Sequence, residues 1–151
     1  MATHSTTYGS FTIERELNAP VEKVWAAFAD KVAKEKWFKG PDSAPDEHAM
    51  DFRIGGMEHN KGKFHDGTVH EFHALYYDIV PLNRIIYTYE MYIEGKRISV
   101  SLATITFEPM ASGTKLNLGE SGVFLDGFDK PEVRERGTRE LLDTLERSLA
   151  S

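Results

Sequence analysis

Phe11, Ile13 and Leu17 alternate with polar neighbours in GSFTIEREL (residues 9–17), the period of two that marks a strand with one buried face. The period then lengthens. Val21, Val24, Trp25 and Phe28 fall at helical spacing, behind Asn18 as a candidate N-cap and Pro20 as a first-turn residue. A second short helix is predicted from about Lys31 to Phe38, ending before Gly40-Pro41. From there the period is two again. EHAMDFRI places Met50, Phe52 and Ile54 on one face, Gly55-Gly56 turns the chain, and MEHNKGKFH returns. Asp66-Gly67 signals a two-residue hairpin that would pair Lys63 with His70 and Phe64 with Val69. A long strand, Thr68 to Val80, runs to Pro81-Leu82-Asn83; RIIYTYEMYI and RISVSLATITFEP flank Glu94-Gly95; Ser112-Gly113 leads to TKLNLGESG. The last segment, starting near Asp129 or Lys130 with Pro131 in its first turn, is a long amphipathic helix. The order is strand, two short helices, six sequential strands and a long helix. That is an α+β fold with a largely antiparallel sheet, and a strongly curved sheet gripping the last helix buries both apolar faces.

Two positions test this reading. A tight hairpin at Glu94-Gly95 pairs Tyr92 with Arg97, Met91 with Ile98, Tyr89 with Val100 and Tyr87 with Leu102, so that Tyr87, Tyr89, Met91, Ile98, Val100 and Leu102 face the helix. The next hairpin groups Ile105 and Phe107 with Leu116 and Leu118, on the face of Ser99 and Ser101. Either a bulge near Ala103 shifts the register, or both faces are partly covered. In the last helix Val133, Gly137, Leu141, Leu145 and Leu149 recur every four residues, with Leu142 beside them, while Arg134 and other charged residues lie mostly off the stripe. Gly137 costs that helix about 1 kcal/mol relative to Ala. Close packing on the sheet, or a cavity beneath the missing side chain, would each account for it.

Composition narrows the functions. The chain has 151 residues, 40% hydrophobic and 28% charged, enough for one domain with one core; residues 1–8 are expected to be disordered. No apolar run approaches the roughly 18 residues of a membrane span, and the N-terminus lacks a basic start with an apolar stretch behind it. Zero cysteines exclude disulfides, thiolate metal sites and cysteine nucleophiles, and make a cytoplasmic location the default. The net charge of -6, with no Lys/Arg cluster, argues against nucleic acid and anionic membranes as partners.

Candidate chemistry is sparse. His70 and His73, three apart on a strand, project to opposite faces. Pairing across Gly55-Gly56 puts His48 near Lys63 and His59 near Phe52, so no metal site is expected. Glu71 and His73 share a face, as a general base if buried or as a solvated pair if not. Ser99 and Ser101 have no legible His-Asp partner, and no phosphate-binding loop motif occurs. No cofactor is implied. Asp51 and Arg53 are expected to anchor the Gly-Gly turn. Trp25 is expected in the core, and Trp37 in the core or at a cavity wall. Tyr87 and Tyr89 carry apolar rings with hydroxyls that need partners when buried; core packing and a ligand pocket both fit them.

FTIERELNAPVEKVWAAFAD, the following Trp37, DFRIGG, YDIVPLNRIIYTYE and TITFEP…GTKLNL resemble, in order and spacing, the SRPBCC (START-like, helix-grip) superfamily. Within it the chain is most similar to the activator-of-heat-shock-protein-90-ATPase-like group, over about residues 10–150. The resemblance implies a seven-stranded antiparallel sheet wrapped around the long C-terminal helix with a cavity between them. Gly137 matches a usual Gly of that helix; Thr138 stands where members often carry Trp, which would open the cavity further. Members include lipid and hormone carriers, polyketide cyclases and aromatases, hydrolases and co-chaperone domains. The eukaryotic activator has a further N-terminal domain that this sequence lacks, so chaperone activation is not carried over.

The leading expectation is a non-catalytic module binding a small, largely apolar or aromatic molecule, lined by Trp37, Phe52, Tyr87, Tyr89, Met91, Leu102, Gly137, Thr138 and Leu141. An enzyme of cyclase or hydrolase type, with Glu71-His73 or a tyrosine as acid or base, is the alternative. A stress-response or chaperone-cofactor interaction domain is the third. A homodimer and a chaperone partner both stay open.

Overall fold

The structure, a computed structural model, describes residues 4–39 and 44–150. The elements run β1 (Thr6–Leu17), α1 (Val21–Ala29), α2 (Lys31–Glu35), β2 (Ala44–Met50), β3 (Met57–Lys63), β4 (Val69–Val80), β5 (Arg84–Ile93), β6 (Lys96–Met110), β7 (Gly113–Leu125) and α3 (Pro131–Leu149). All seven strands form one curved antiparallel sheet in the order β1-β7-β6-β5-β4-β3-β2. The first strand closes against the last, so the sequential hairpins need no crossover except the one made by α1 and α2. No helix among the described residues is long and apolar enough to cross a membrane.

Alternation decides the concave face. Ile13 and Leu17 of β1, Ile85 and Tyr87 of β5, Ala103, Ile105 and Phe107 of β6, and Leu116 and Leu118 of β7 share one core with Leu142, Leu145 and Leu149 of α3. Leu145 is 0% exposed. Leu145→Ala should therefore cost about 2–5 kcal/mol through lost burial and the void left behind, read as a lower urea midpoint with an unchanged slope.

Several local expectations are corrected. β1 begins at Thr6, which pairs with Leu125, and Ser5 N–H donates to Asp126 Oδ1 at 2.8 Å, so residues 4–8 belong to the fold; positions 1–3 lie outside the described residues. Asn18 is not the cap of α1: Pro20 holds that position, with extended backbone and no side-chain cap. The second helix is shorter than predicted, and Gly40-Pro41 lies outside the described residues. DFRIGG is not a strand end but a loop, closed by Arg53 Nε donating to Asp51 Oδ2 at 2.8 Å and by Gly55 at φ 85°. That loop moves the β2–β3 register, so His48 pairs with Asn60 and Ala49 with His59. At the Asp66-Gly67 hairpin Lys63 pairs with Val69, one residue from the two-residue expectation.

The bulge in β6 lies at its start rather than near Ala103. Tyr92 pairs with Arg97 as predicted, but Met91 pairs with Ser99, so Ile98 is the extra residue. Everything beyond it is displaced by one: Tyr89 pairs with Ser101 and Tyr87 with Ala103. Ser99 and Ser101 turn inward and are buried, whereas Val100 and Leu102 are exposed on the outer face. The conflict between the two hairpins disappears, because Ile105 and Phe107 now share the face of Tyr87 and Tyr89.

Two glycines set how α3 sits. A Cβ on Gly9 would meet the Pro131 ring at 2.4 and 2.5 Å, so β1 admits the first turn of α3 only through a glycine. A Cβ on Gly137 would meet nothing within 4 Å. Of the two explanations for Gly137, close packing is excluded and open space holds.

Candidate functional site

Beneath Gly137 the sheet and α3 part to leave a cavity of about 470 Å³. That is within the roughly 300–1,000 Å³ of small-molecule sites. Its floor is aromatic. Tyr87 and Tyr89 stand side by side on β5 with ring centroids 5.9 Å apart, and Phe72 of β4 lies 5.0 Å from Tyr89. One wall comes from the segment after α2: Trp37, whose Nε1–H donates to Ala27 O at 2.8 Å, and Phe38, which stacks edge-on to Phe72 at 4.9 Å. The roof is the N-terminal half of α3, with Gly137, Thr138 and Leu141. Thr138 lines the cavity with its hydroxyl already engaged, donating to Arg134 O at 2.9 Å.

Two polar clusters interrupt this apolar lining. The first joins α3 to β5, β6 and β7. Tyr89 OH donates to Glu120 Oε1. Arg134 Nη1 donates to Tyr89 OH at 3.0 Å, and its Nη2 donates to Ser99 Oγ at 2.8 Å and to Asp129 Oδ2 at 3.2 Å. The guanidinium also lies over the rings of Phe124 and Tyr89, at 5.1 and 5.7 Å. Burial raises the Glu120 carboxyl above its usual range, against the hydrogen bond from Tyr89 and the charge of Arg134. Burial likewise pushes the Tyr89 hydroxyl up, with Glu120 reinforcing it. The cluster is a fixed set of donors and acceptors at one end of the cavity.

The second cluster is deeper. Lys34 Nζ donates to Glu58 Oε1 at 2.7 Å, Tyr76 OH donates to the same oxygen at 2.5 Å, and His48 Nε2 meets Glu58 Oε2 at 2.8 Å. Lys34 also sits 4.4 Å over the Phe38 ring and lines the cavity. Burial alone would raise the Glu58 carboxyl; the Lys34 ammonium and the three hydrogen bonds reverse that and bring it down to about 2.

Seven of the nine expected liners, Trp37, Tyr87, Tyr89, Met91, Gly137, Thr138 and Leu141, surround the cavity. Two do not. Leu102 is 45% exposed on the outer face because of the Ile98 bulge. Phe52 lies in the DFRIGG loop and packs between Trp25 and Tyr76, at 5.8 and 5.1 Å, away from the opening. Glu71 and His73 do share a face, but it is the outer one, so they cannot serve the cavity as acid or base. They meet a third residue there. His59 pairs with His73 across β3 and β4, and His59, Glu71 and His73 bring their ligand atoms within 4.8 Å of one another, a juxtaposition the strand pattern alone does not predict. Arg134, Glu120 and Lys34 were not singled out in the sequence. Arg134 was legible in one respect: it stands four before Thr138 and eight before Leu142, on the face α3 in fact buries.

Solved structures reproduce this architecture. An uncharacterized protein from Rhizobium leguminosarum is 41% identical with a TM-score of 0.93, covering 98% of each chain. The Mll3558 protein from Rhizobium loti is 39% identical, TM-score 0.87, covering 96% of this chain and 99% of its own. Protein CV1439 from Chromobacterium violaceum is 27% identical, TM-score 0.83, covering 95% and 98%. No protein of curated function matches the sequence. The family described as Activator of Hsp90 ATPase homolog 1-like protein matches residues 18–150, nearly the whole helix-grip unit. The chain belongs to that family, within the SRPBCC superfamily.

Proposed function

We propose that this protein is a binding module that holds one small, largely apolar or aromatic molecule between the curved sheet and the first half of α3. The observation that carries the reading is the coincidence of Gly137, with nothing within 4 Å of its missing Cβ, and a cavity of about 470 Å³ walled by Trp37, Tyr87 and Tyr89. Arg134 gives the guest an orientation. Its side chain is 11% exposed and lines the cavity, and a guanidinium held by Tyr89, Ser99 and Asp129 keeps donors for one more acceptor. The guest is therefore an aromatic or aliphatic body with one hydrogen-bond acceptor, such as a carbonyl or carboxylate.

One observation favours a second reading. Glu120, buried with its carboxyl raised, sits with Tyr89 and Arg134 at the cavity, the arrangement a proton-transferring cyclase or hydrolase needs. The binding reading is preferred because Glu120 Oε1 already accepts from Tyr89 OH, which in turn accepts from Arg134, so the cluster serves first as a fixed hydrogen-bonding frame. The family name also allows a chaperone partner, which this cavity does not require.

The test is native mass spectrometry of protein purified from its own host, followed by denaturation and identification of whatever is released. A one-to-one adduct, released chemically unchanged after prolonged incubation, is expected. A clean apo mass, together with no thermal shift across aromatic and lipid compounds, overturns the binding reading; conversion of the released compound replaces it with the enzymatic one.

A further inference from the structure

The outer face of the sheet carries a second constellation, on the side away from the cavity. His59 of β3 and His73 of β4 are direct cross-strand partners. Glu71, two residues before His73, shares their face because successive side chains alternate. Both imidazole Nε2 atoms point at one oxygen: Glu71 Oε1 is 3.2 Å from His73 and 3.4 Å from His59. Those separations are long for charge-assisted hydrogen bonds, which run at about 2.7–2.9 Å. Those two edges are close to that of a tetrahedron whose ligands lie about 2.0–2.1 Å from a central ion, about 3.3 Å, and the three ligand atoms together lie within 4.8 Å of one another.

From this geometry we propose that His59, Glu71 and His73 form a three-ligand site for a divalent first-row metal ion, with zinc as its occupant. Two imidazoles and a carboxylate suit zinc chemically. The ion takes the Nε2 lone pairs of two neutral imidazoles and one carboxylate oxygen. The three side chains are 39%, 22% and 36% exposed, so the remaining coordination position opens to water. The surroundings set both position and limits. The His73 ring packs against Tyr92 at 4.8 Å, and Tyr92 OH is tied to Glu90 Oε2 at 2.5 Å, which steadies His73 from β5. Lys61, opposite Glu71 on β3, brings a positive charge to the same face and holds affinity to a modest level. The site is independent of the cavity, which lies across the sheet.

The experiment is titration of zinc chloride into the full chain by calorimetry, with the histidine ring resonances followed by NMR. One ion per chain is expected, with the His59 and His73 signals moving together while those of His48 and His65 stay in place. His59→Ala and His73→Ala should each weaken binding at least about tenfold, as loss of a direct ligand must at minimum, with the far-UV spectrum unchanged because both side chains are at the surface. No saturable binding below millimolar zinc, or binding that survives the double variant, overturns the proposal and leaves Glu71 as a solvated partner of two histidines.

Discussion

Glu58→Gln should cost this protein about 3–5 kcal/mol of stability, the range for breaking one partner out of a buried ion pair. The Glu58 side chain has no exposure, and Lys34 opposite has 5%. Substitution keeps the shape but leaves the Lys34 ammonium facing an amide, among the rings of Phe38 and Phe72. Tyr76 and His48 lose a charged acceptor in the same step. The check is a double-mutant cycle with Lys34→Met, read by chemical denaturation. Since the residual charge is the main penalty, the double variant should be less destabilised than the sum of the singles by about 2 kcal/mol. A loss under about 1 kcal/mol for Glu58→Gln, or strict additivity, would show that the pair is not what secures β3 to α2.

The same cluster fixes the sign of the pH dependence. Glu58 moves from an ordinary 4.5 down to about 2 on folding, a difference worth about 3 kcal/mol. A lowered carboxyl contributes fully above its unfolded value and loses that contribution as pH falls from 4.5 toward 2. His48 works the other way. Its hydrogen bond to Glu58 raises the imidazole above 6.5, against burial and together with Glu35, so its contribution is complete below 6.5 and fades as pH climbs through the raised value. The cluster therefore supports the fold best between about pH 4.5 and 6.5. In Glu58→Gln the acid limb of this profile should flatten.

Why was so much of the fold legible, and the site only in part? The strand boundaries follow Gly55, Gly67, Gly95 and Gly113, all at positive φ, so turn chemistry locates four hairpins, while loops and bulges displace the register at the first three. The failures along β6 and α3 share one physical source. The rule that apolar residues face inward assigns Val100 and Leu102 to the core and Ser99 and Ser101 to water, yet the reverse holds. At that level the interior carries the polar end of a cavity, so Arg134 finds Ser99 as a partner and local pattern yields to the site. A one-residue bulge at Ile98 flips the face, and ISVSLAT reads equally well in either register. Arg134 was hidden for the same reason: a charged residue is placed outside by pattern, whereas here Asp129 and the Phe124 ring compensate its burial. Ion pairs such as Lys34–Glu58 join residues 24 apart in sequence and leave no periodic trace.

Filling the hollow above Tyr87 and Tyr89 separates binding from folding. Gly137→Ala should stabilise the protein by about 1 kcal/mol, because a mid-helix glycine is replaced by the best helix former at a position where the new Cβ meets nothing within 4 Å. Gly137→Phe goes further. Its ring, directed from α3 into the cavity, buries apolar area against Tyr87 and Tyr89 and adds up to about 2 kcal/mol, since the space already exists. It also removes the volume a guest would occupy. With anilinonaphthalene sulfonate as an apolar, aromatic probe carrying one acidic acceptor, the natural chain should show a single saturable rise in fluorescence. Gly137→Ala should retain it, and Gly137→Phe should weaken it at least about tenfold, the equivalent of about 1.4 kcal/mol, while its melting temperature rises. Most insertions into a packed core lower stability by about 1–3 kcal/mol, so a stabilised, non-binding variant can arise only if the hollow is real. A destabilised one would mean that α3 and the sheet are already in contact at residue 137, and probe binding unaffected by the new ring would place the guest somewhere other than beneath this helix.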